Sequence, residues 1–182
     1  KEDVNKTLWG LSQHSSGLAI HFYSNAPKIQ VRYKVTGKNY SMPHMPSTGV
    51  SGVDLYQINC DGQAAFCFGT YSFKDTIVYT YNNIKNDKYH NYGYQYRLYL
   101  PLYNGVQWLE IGTPEDAKFE FIPLIDEKPI VVYGTSIAQG ACASRPAMAW
   151  TSIFQRAVDY PLINLGFSGS GRLDPPIMNL IN

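Results

Sequence analysis

The stretch VVYGTSIAQGACASRP, Val131 to Pro146, holds the residue best suited to chemistry in this chain. An apolar run ends in Gly134 and Ser136 follows two residues later, where a helix should begin, which is how several hydrolases present a nucleophile. A developing oxyanion there could meet backbone N–H groups at the helix N-terminus or in a neighbouring loop. Serine is also a leading helix cap, so on local pattern alone nucleophile and cap are about evenly matched. A second small-residue loop, GFSGSG, runs from Gly166 to Gly171. Its GxxGxG spacing is not the dinucleotide fingerprint and it has no phosphate-loop lysine; Gly169 could aim an amide as an oxyanion donor or make a tight turn. The last histidine is His90, so no residue from Ser136 to Asn182 can act as its imidazole base.

The other candidates carry less. GTSIA, Gly134 to Ala138, nearly matches the nucleophile elbow GxSxG, but that motif sits well inside a sheet and here no substantial α/β sheet precedes it. His14, His21, His44 and His90 show no ligand spacing, so no metal site is expected and no cofactor is implied. His44, inside MPHMP, is oddly placed for a solvated histidine, although an ordinary loop histidine is the commoner case. Asn104, Gly105 and the tyrosines suit a sugar-binding surface, yet tyrosine in a sandwich core is commoner.

The elements that must position these residues change type along the chain. All but two of the 15 tyrosines, Tyr133 and Tyr160, precede residue 104, and the 15 glycines and 11 prolines fit a β-rich region with many turns. From Leu18 to Ile111 the dominant period is two, as in Ile29, Val31, Tyr33 and Val35 alternating with Gln30, Arg32 and Lys34. Further strands are predicted at 53–59, 64–68, 76–81, 95–100 and 106–111, separated by turn signals. Seven or so short strands without a convincing amphipathic helix predict a β-sandwich of jelly-roll type. The Asp61–Gly62 turn would pair Cys60 with Gln63 and set Cys67 opposite Tyr56, too far along for a disulfide, leaving both as free thiols in or near a core. Cys142 lies in the loop after Ser136, where filler is a commoner role than nucleophile or disulfide partner.

After residue 125 the pattern becomes α/β. Ile130 to Tyr133 and Leu162 to Leu165 are buried-strand runs, and 146–158 carries Trp150, Ile153, Phe154 and Ala157 at helical spacing, with Pro146 in the helix's first turn. One βαβ unit puts both strand ends on one edge, so 134–140 and 166–171 should lie side by side. A second helix is predicted from Pro175. A net charge of +1 gives no footprint for nucleic acid or anionic membrane, and no apolar run approaches the roughly 20 residues of a membrane span. The polar N-terminus KEDVNKTLWG is no signal peptide.

GTSIAQGACASRPAMAW followed by NLGFSGSGRLDPPI resembles the first two blocks of the SGNH/GDSL esterase and lipase superfamily. Gly52-Val53-Asp54-Leu55-Tyr56 is similar to the signature of the subfamily with a GxDLY-type N-terminal domain, as are SMPHMPSTGVSG, LYLPLYNGV and LEIGTPE to its other stretches. The resemblance implies a β-sandwich over 1–125 and, over 126–182, the first βαβ portion of a flavodoxin-like α/β/α hydrolase domain. It implies Ser136 as nucleophile and the Ser136 and Gly169 amides as oxyanion donors; separately, with the MPHM loop folded over that edge, His44 and Arg145 are substrate-pocket candidates. Thr135 stands where the family name has aspartate, a position outside the catalytic set. The third block and the Asp-x-x-His block would lie beyond Asn182, so this chain alone is expected to be nearly inactive. The implied parent is an exported bacterial enzyme, its signal peptide removed, acting on a small-molecule or glycan ester. The rival expectation is a carbohydrate-binding or docking sandwich with a vestigial hydrolase segment.

Overall fold

The structure, a computed structural model, describes residues 4–82, 84, 90 and 93–181. It opens with a helix the alternation does not predict, α1 (Lys6–Ser12), whose first turn is capped where Asn5 Oδ1 accepts from Leu8 N at 2.9 Å. The strands that follow are β1 (Ala19–Ser24), β2 (Ile29–Val35), β3 (Asp54–Ile58), β4 (Ala64–Phe66), β5 (Thr70–Ser72), β6 (Ile77–Tyr81), β7 (Tyr94–Tyr99), β8 (Val106–Gly112) and β9 (Phe119–Phe121). A single-turn helix, α2 (Ser47–Val50), sits between β2 and β3.

These strands make two sheets, β4-β3-β7-β1-β9 and β5-β6-β2-β8, with every neighbouring pair antiparallel. Alternation decides which face is buried. In β2 the residues Ile29, Val31, Tyr33 and Val35 are buried while Arg32 is exposed, and they meet Phe22, Leu55 and Leu98 of the other sheet in one core. The strands β5 and β9 escape a period-two reading because three residues cannot display a period. Of the buried tyrosines, Tyr33 donates from Oη to Ser51 O at 2.7 Å, whereas the hydroxyls of Tyr96 and Tyr99 have no hydrogen-bond partner among the described residues.

The hairpin at Asp61–Gly62 departs from expectation by one residue. Asn59 N donates to Gln63 O, Tyr56 stands opposite Phe66, and Gly62 takes φ +79°, so the loop has three residues ending in a left-handed glycine rather than two. Cys60 is therefore exposed in the turn, and Cys67 bonds across to Leu55 instead of facing Tyr56. Burial raises the Cys67 thiol to about 11, which fits an inert packing role.

The C-terminal part holds β10 (Ile130–Gly134), α3 (Ser136–Gln139), α4 (Trp150–Val158), β11 (Leu162–Gly166) and α5 (Pro175–Ile181). The strands β10 and β11 pair in parallel, Ile130 with Leu162 through Gly134 with Gly166. Pro146 opens a separate 3₁₀ turn, Pro146–Met148, and α4 starts only at Trp150, because Ala149 takes ψ +138° and breaks the helix. The apolar stripe of α4 faces solvent, with Trp150 46%, Ile153 43% and Phe154 39% exposed, while Thr151 and Ser152 are buried. A two-stranded sheet is too narrow to cover that stripe, and Arg156 turns the other way, over the Tyr56 and Tyr99 rings. α1 and α5 share a small core through Leu8, Phe167 and Ile177. Among the described residues no helix is long and apolar enough to cross a membrane.

Candidate active site

The parallel register sets Gly134 opposite Gly166, so the two loops after β10 and β11 start side by side. Phe167 N donates to Gly134 O at 2.8 Å, and a Cβ at Gly171 would collide with the same carbonyl; glycine lets the second loop lie this close. Ser136 is the first residue of α3, and the cap position belongs to Thr135, whose side chain makes no capping bond. The serine is thus not spent as a cap. The amides of Gly140 and Ala141 close the turn on Ser136 O at 3.1 and 2.8 Å, and Gly140 ends it at φ +103°.

Gly169 is exposed in the second loop at φ +71°, and a Cβ there would meet nothing within 4 Å. Its amide has no hydrogen-bond acceptor among the described residues. An open left-handed glycine with an idle amide, one loop away from Ser136, has the attributes an oxyanion donor needs.

Two polar side chains that the sequence reading passed over fasten this edge together. Gln139, on α3 and 0% exposed, accepts from Ser168 N through Oε1 at 2.9 Å. Its Nε2 donates to Leu102 O at 3.0 Å and lies 2.9 Å from His14 Nδ1, while Ser16 Oγ donates to its backbone carbonyl at 2.6 Å. Asn164, in the middle of β11, donates from Nδ2 to Ala138 O at 2.8 Å and accepts from Gly166 N at 2.8 Å. The one available signal was a lone amide inside an apolar or small-residue run, where a buried polar group must find partners.

The sandwich reaches the serine as well. Tyr103, 7% exposed, donates from Oη to Ser136 O at 3.3 Å and lies 6.1 Å from the His14 ring. Burial raises the Tyr103 hydroxyl, with the Ser168 hydroxyl pulling it back, and burial alone lowers His14. The MPHM segment makes a tight Met42–Met45 bridge with His44 exposed at its tip. Met45 is buried against Val50, Leu102, Tyr103 and Ala149, and Thr48 Oγ1 donates to Ser144 O at 2.7 Å. The MPHM segment therefore packs onto the chain that follows Ser136, and His44 stays exposed.

Arg145 goes elsewhere. Its guanidinium stands 4.3 Å over the Phe66 ring, 3.4 Å from Tyr56 Oη, and its Nε is 3.3 Å from Asp54 Oδ2, an ion-pair distance without hydrogen-bond alignment. Asp54, the aspartate of the GVDLY stretch, is 4% exposed and accepts from Ala147 N at 2.9 Å. Burial raises its carboxyl to about 6, against the Ala147 amide and the Arg145 and Arg156 charges, which pull it down. This aspartate pins the 3₁₀ turn to the sandwich. The structure unites Ser136 with the Gly169 loop and sets Arg145 at the junction between the two parts.

Residues 1–119 match the GxDLY family, the N-terminus of SGNH-hydrolase-type esterases, and residues 127–182 match the GDSL-like lipase/acylhydrolase family. Among solved structures, the chain resembles a protein assigned as a GDSL-like lipase from Bacteroides ovatus, at 36% identity and TM-score 0.81, over 93% of this chain and 49% of that one. It also resembles a salicylyl-acyltransferase from a tetracycline biosynthetic pathway, at 23% identity and TM-score 0.65, over 93% of this chain and 45% of that one. That second likeness is one of fold. The chain spans about half the length of these structures, and no curated protein matches it. With a family match over 1–119 and a second over 127–182, the chain belongs to the SGNH/GDSL-like esterase family with a GxDLY-type N-terminal domain.

Proposed function

We propose that the parent protein is a serine esterase that hydrolyses ester bonds through an acyl-serine intermediate, with acylated carbohydrate as its substrate class. Ser136 Oγ attacks the ester carbonyl, its proton passes to an imidazole supplied by the Asp-x-x-His block that the family resemblance implies, and the alcohol leaves with that proton. Water then hydrolyses the acyl-serine. The Ser136 and Gly169 amides hold the tetrahedral oxyanion. The observation that carries this reading is Ser136 at the first position of α3, beside a loop whose glycine amide is idle.

In this reading residues 1–125 form a jelly-roll-like sandwich and 126–182 the opening βαβ portion of a flavodoxin-like hydrolase domain. The MPHM segment shapes one wall of the pocket, with His44 at its rim and Arg145 fixing the ASRP loop from behind. Without the base and its orienting acid, residues 1–182 alone hydrolyse esters close to the background rate. Export to the periplasm or cell exterior of a bacterium belongs to the same reading. Ser136→Ala in the full-length protein should lower ester hydrolysis by at least about a hundredfold. Undiminished hydrolysis by that variant rules the assignment out.

A further inference from the structure

Building on the esterase reading above, we propose that Gln139 is a positioning residue for the reaction: its carboxamide sets the Gly169 oxyanion donor at a fixed place relative to Ser136. Ser168, whose amide Gln139 holds, directly precedes Gly169. Phe167 N on Gly134 O and the Ser168 hydroxyl against Tyr103 hold the start of the loop. Ser170 N closes a turn onto Phe167 O, and Arg172 reaches Gly169 O at 3.3 Å from the exposed side.

The orientation of the Gln139 amide is forced by its partners. Ser168 N can only donate and Leu102 O can only accept, so Oε1 must face the loop and Nε2 the sandwich. The second Nε2 hydrogen then points at His14 Nδ1, which must accept, so His14 is neutral with its proton on Nε2. Every polar atom of the side chain is thereby used, and the residue is 0% exposed. One amide locks α3, the second loop and the sandwich backbone into one relative placement. Catalysis by an oxyanion donor is sensitive to such placement, since removing a donor costs about a hundredfold or more and a shift of about 1 Å can cost as much.

Two substitutions in the full-length protein separate positioning from bulk stability. Gln139→Leu removes all three side-chain bonds, and kcat should fall about 10- to 100-fold while KM stays within about twofold, because the ground-state ester does not use the oxyanion donor. Gln139→Glu keeps an oxygen for Ser168 N but, when ionised, sets a carboxylate oxygen against Leu102 O and His14 Nδ1. Protonating that carboxyl lets it donate to Leu102 O, and protonating His14 turns Nδ1 into a donor toward it, so each step relieves one of the two contacts; Tyr103, Ser16 and Ser168 are the other polar side chains close by. The kcat of Gln139→Glu per folded molecule, with the folded fraction read by circular dichroism at each pH, should therefore climb relative to wild type as pH falls from about 8 to about 5.5; a general loss of stability would change the folded fraction and not this ratio. Ser136→Ala is assayed alongside. If it is inactive while Gln139→Leu keeps wild-type kcat, or while the Gln139→Glu ratio is flat with pH, this inference fails alone; if Gln139→Leu does not fold, the Gln139→Glu profile decides. If Ser136→Ala is active, the esterase reading itself fails.

Discussion

Replacing Asp54 by Asn removes one buried negative charge yet keeps an oxygen for the Ala147 N–H, so it isolates the electrostatic cost of the junction. The Asp54 carboxyl is raised from 3.8 to about 6, chiefly by burial, despite Arg145 and Arg156. A raised folded-state value means that the carboxyl contributes stability fully below pH 3.8, and that this contribution is lost as pH rises to about 6. At about 1.4 kcal/mol per unit, roughly two units amount to a loss of about 3 kcal/mol across that window. Above it the loss is constant. Urea unfolding of wild type and Asp54→Asn at pH 4, 5, 6 and 7 measures the effect, and the shared titrations of His14 and His21 cancel in the difference. The wild-type advantage should shrink by about 2–3 kcal/mol from pH 4 to pH 7. A difference that is flat, or that grows with pH, would mean that the arginines outweigh burial at this carboxyl and would refute the reasoning.

Gly169→Ala forces a left-handed alanine at a cost of about 1–2 kcal/mol but meets no neighbour, whereas Gly171→Ala drives a methyl into the Gly134 carbonyl. Steady-state kinetics on the full-length protein should show kcat falling at least about tenfold further for Gly171→Ala than for Gly169→Ala, because only the former must push the two loops apart. His21, held down to about 4 by burial and then by Arg97, favours its neutral form in the fold. Its contribution is present above pH 6.5 and lost as pH falls toward 4, so His21→Gln should be less acid-sensitive than wild type in urea midpoints at pH 7 and pH 4.5.

Much of the fold was legible because alternation reports burial directly. The residues Ile29, Val31, Tyr33 and Val35 could face inward only as a strand, and the parallel direction of the two strands of a βαβ unit put Ser136 and Gly169 on one edge. The hairpin register was not legible, since whether Gly62 closes a two-residue or a three-residue loop depends on twist rather than on composition. The stripe on α4 announced the helix but not its partners. Periodicity identifies an apolar face but not what covers it, and here Thr151 and Arg156 face inward because Asn164 and the Tyr56 ring offer them partners. Gln139, Asn164 and Asp54 stayed silent in sequence because a buried amide or carboxylate acquires meaning only from groups dozens of residues away, such as Leu102 for Gln139 and Ala147 for Asp54. The GVDLY aspartate is a fastener between the two parts, a role no motif spacing could disclose.

Whether Ser136 is the nucleophile can be read by covalent trapping. Full-length protein is incubated with a phosphonate ester that stays on an attacking serine, and the adduct is located by peptide mass spectrometry. A nucleophilic Ser136 gives a single adduct on the peptide that contains it, absent from Ser136→Ala. An adduct on another residue, with ester hydrolysis intact in Ser136→Ala, would contradict that role.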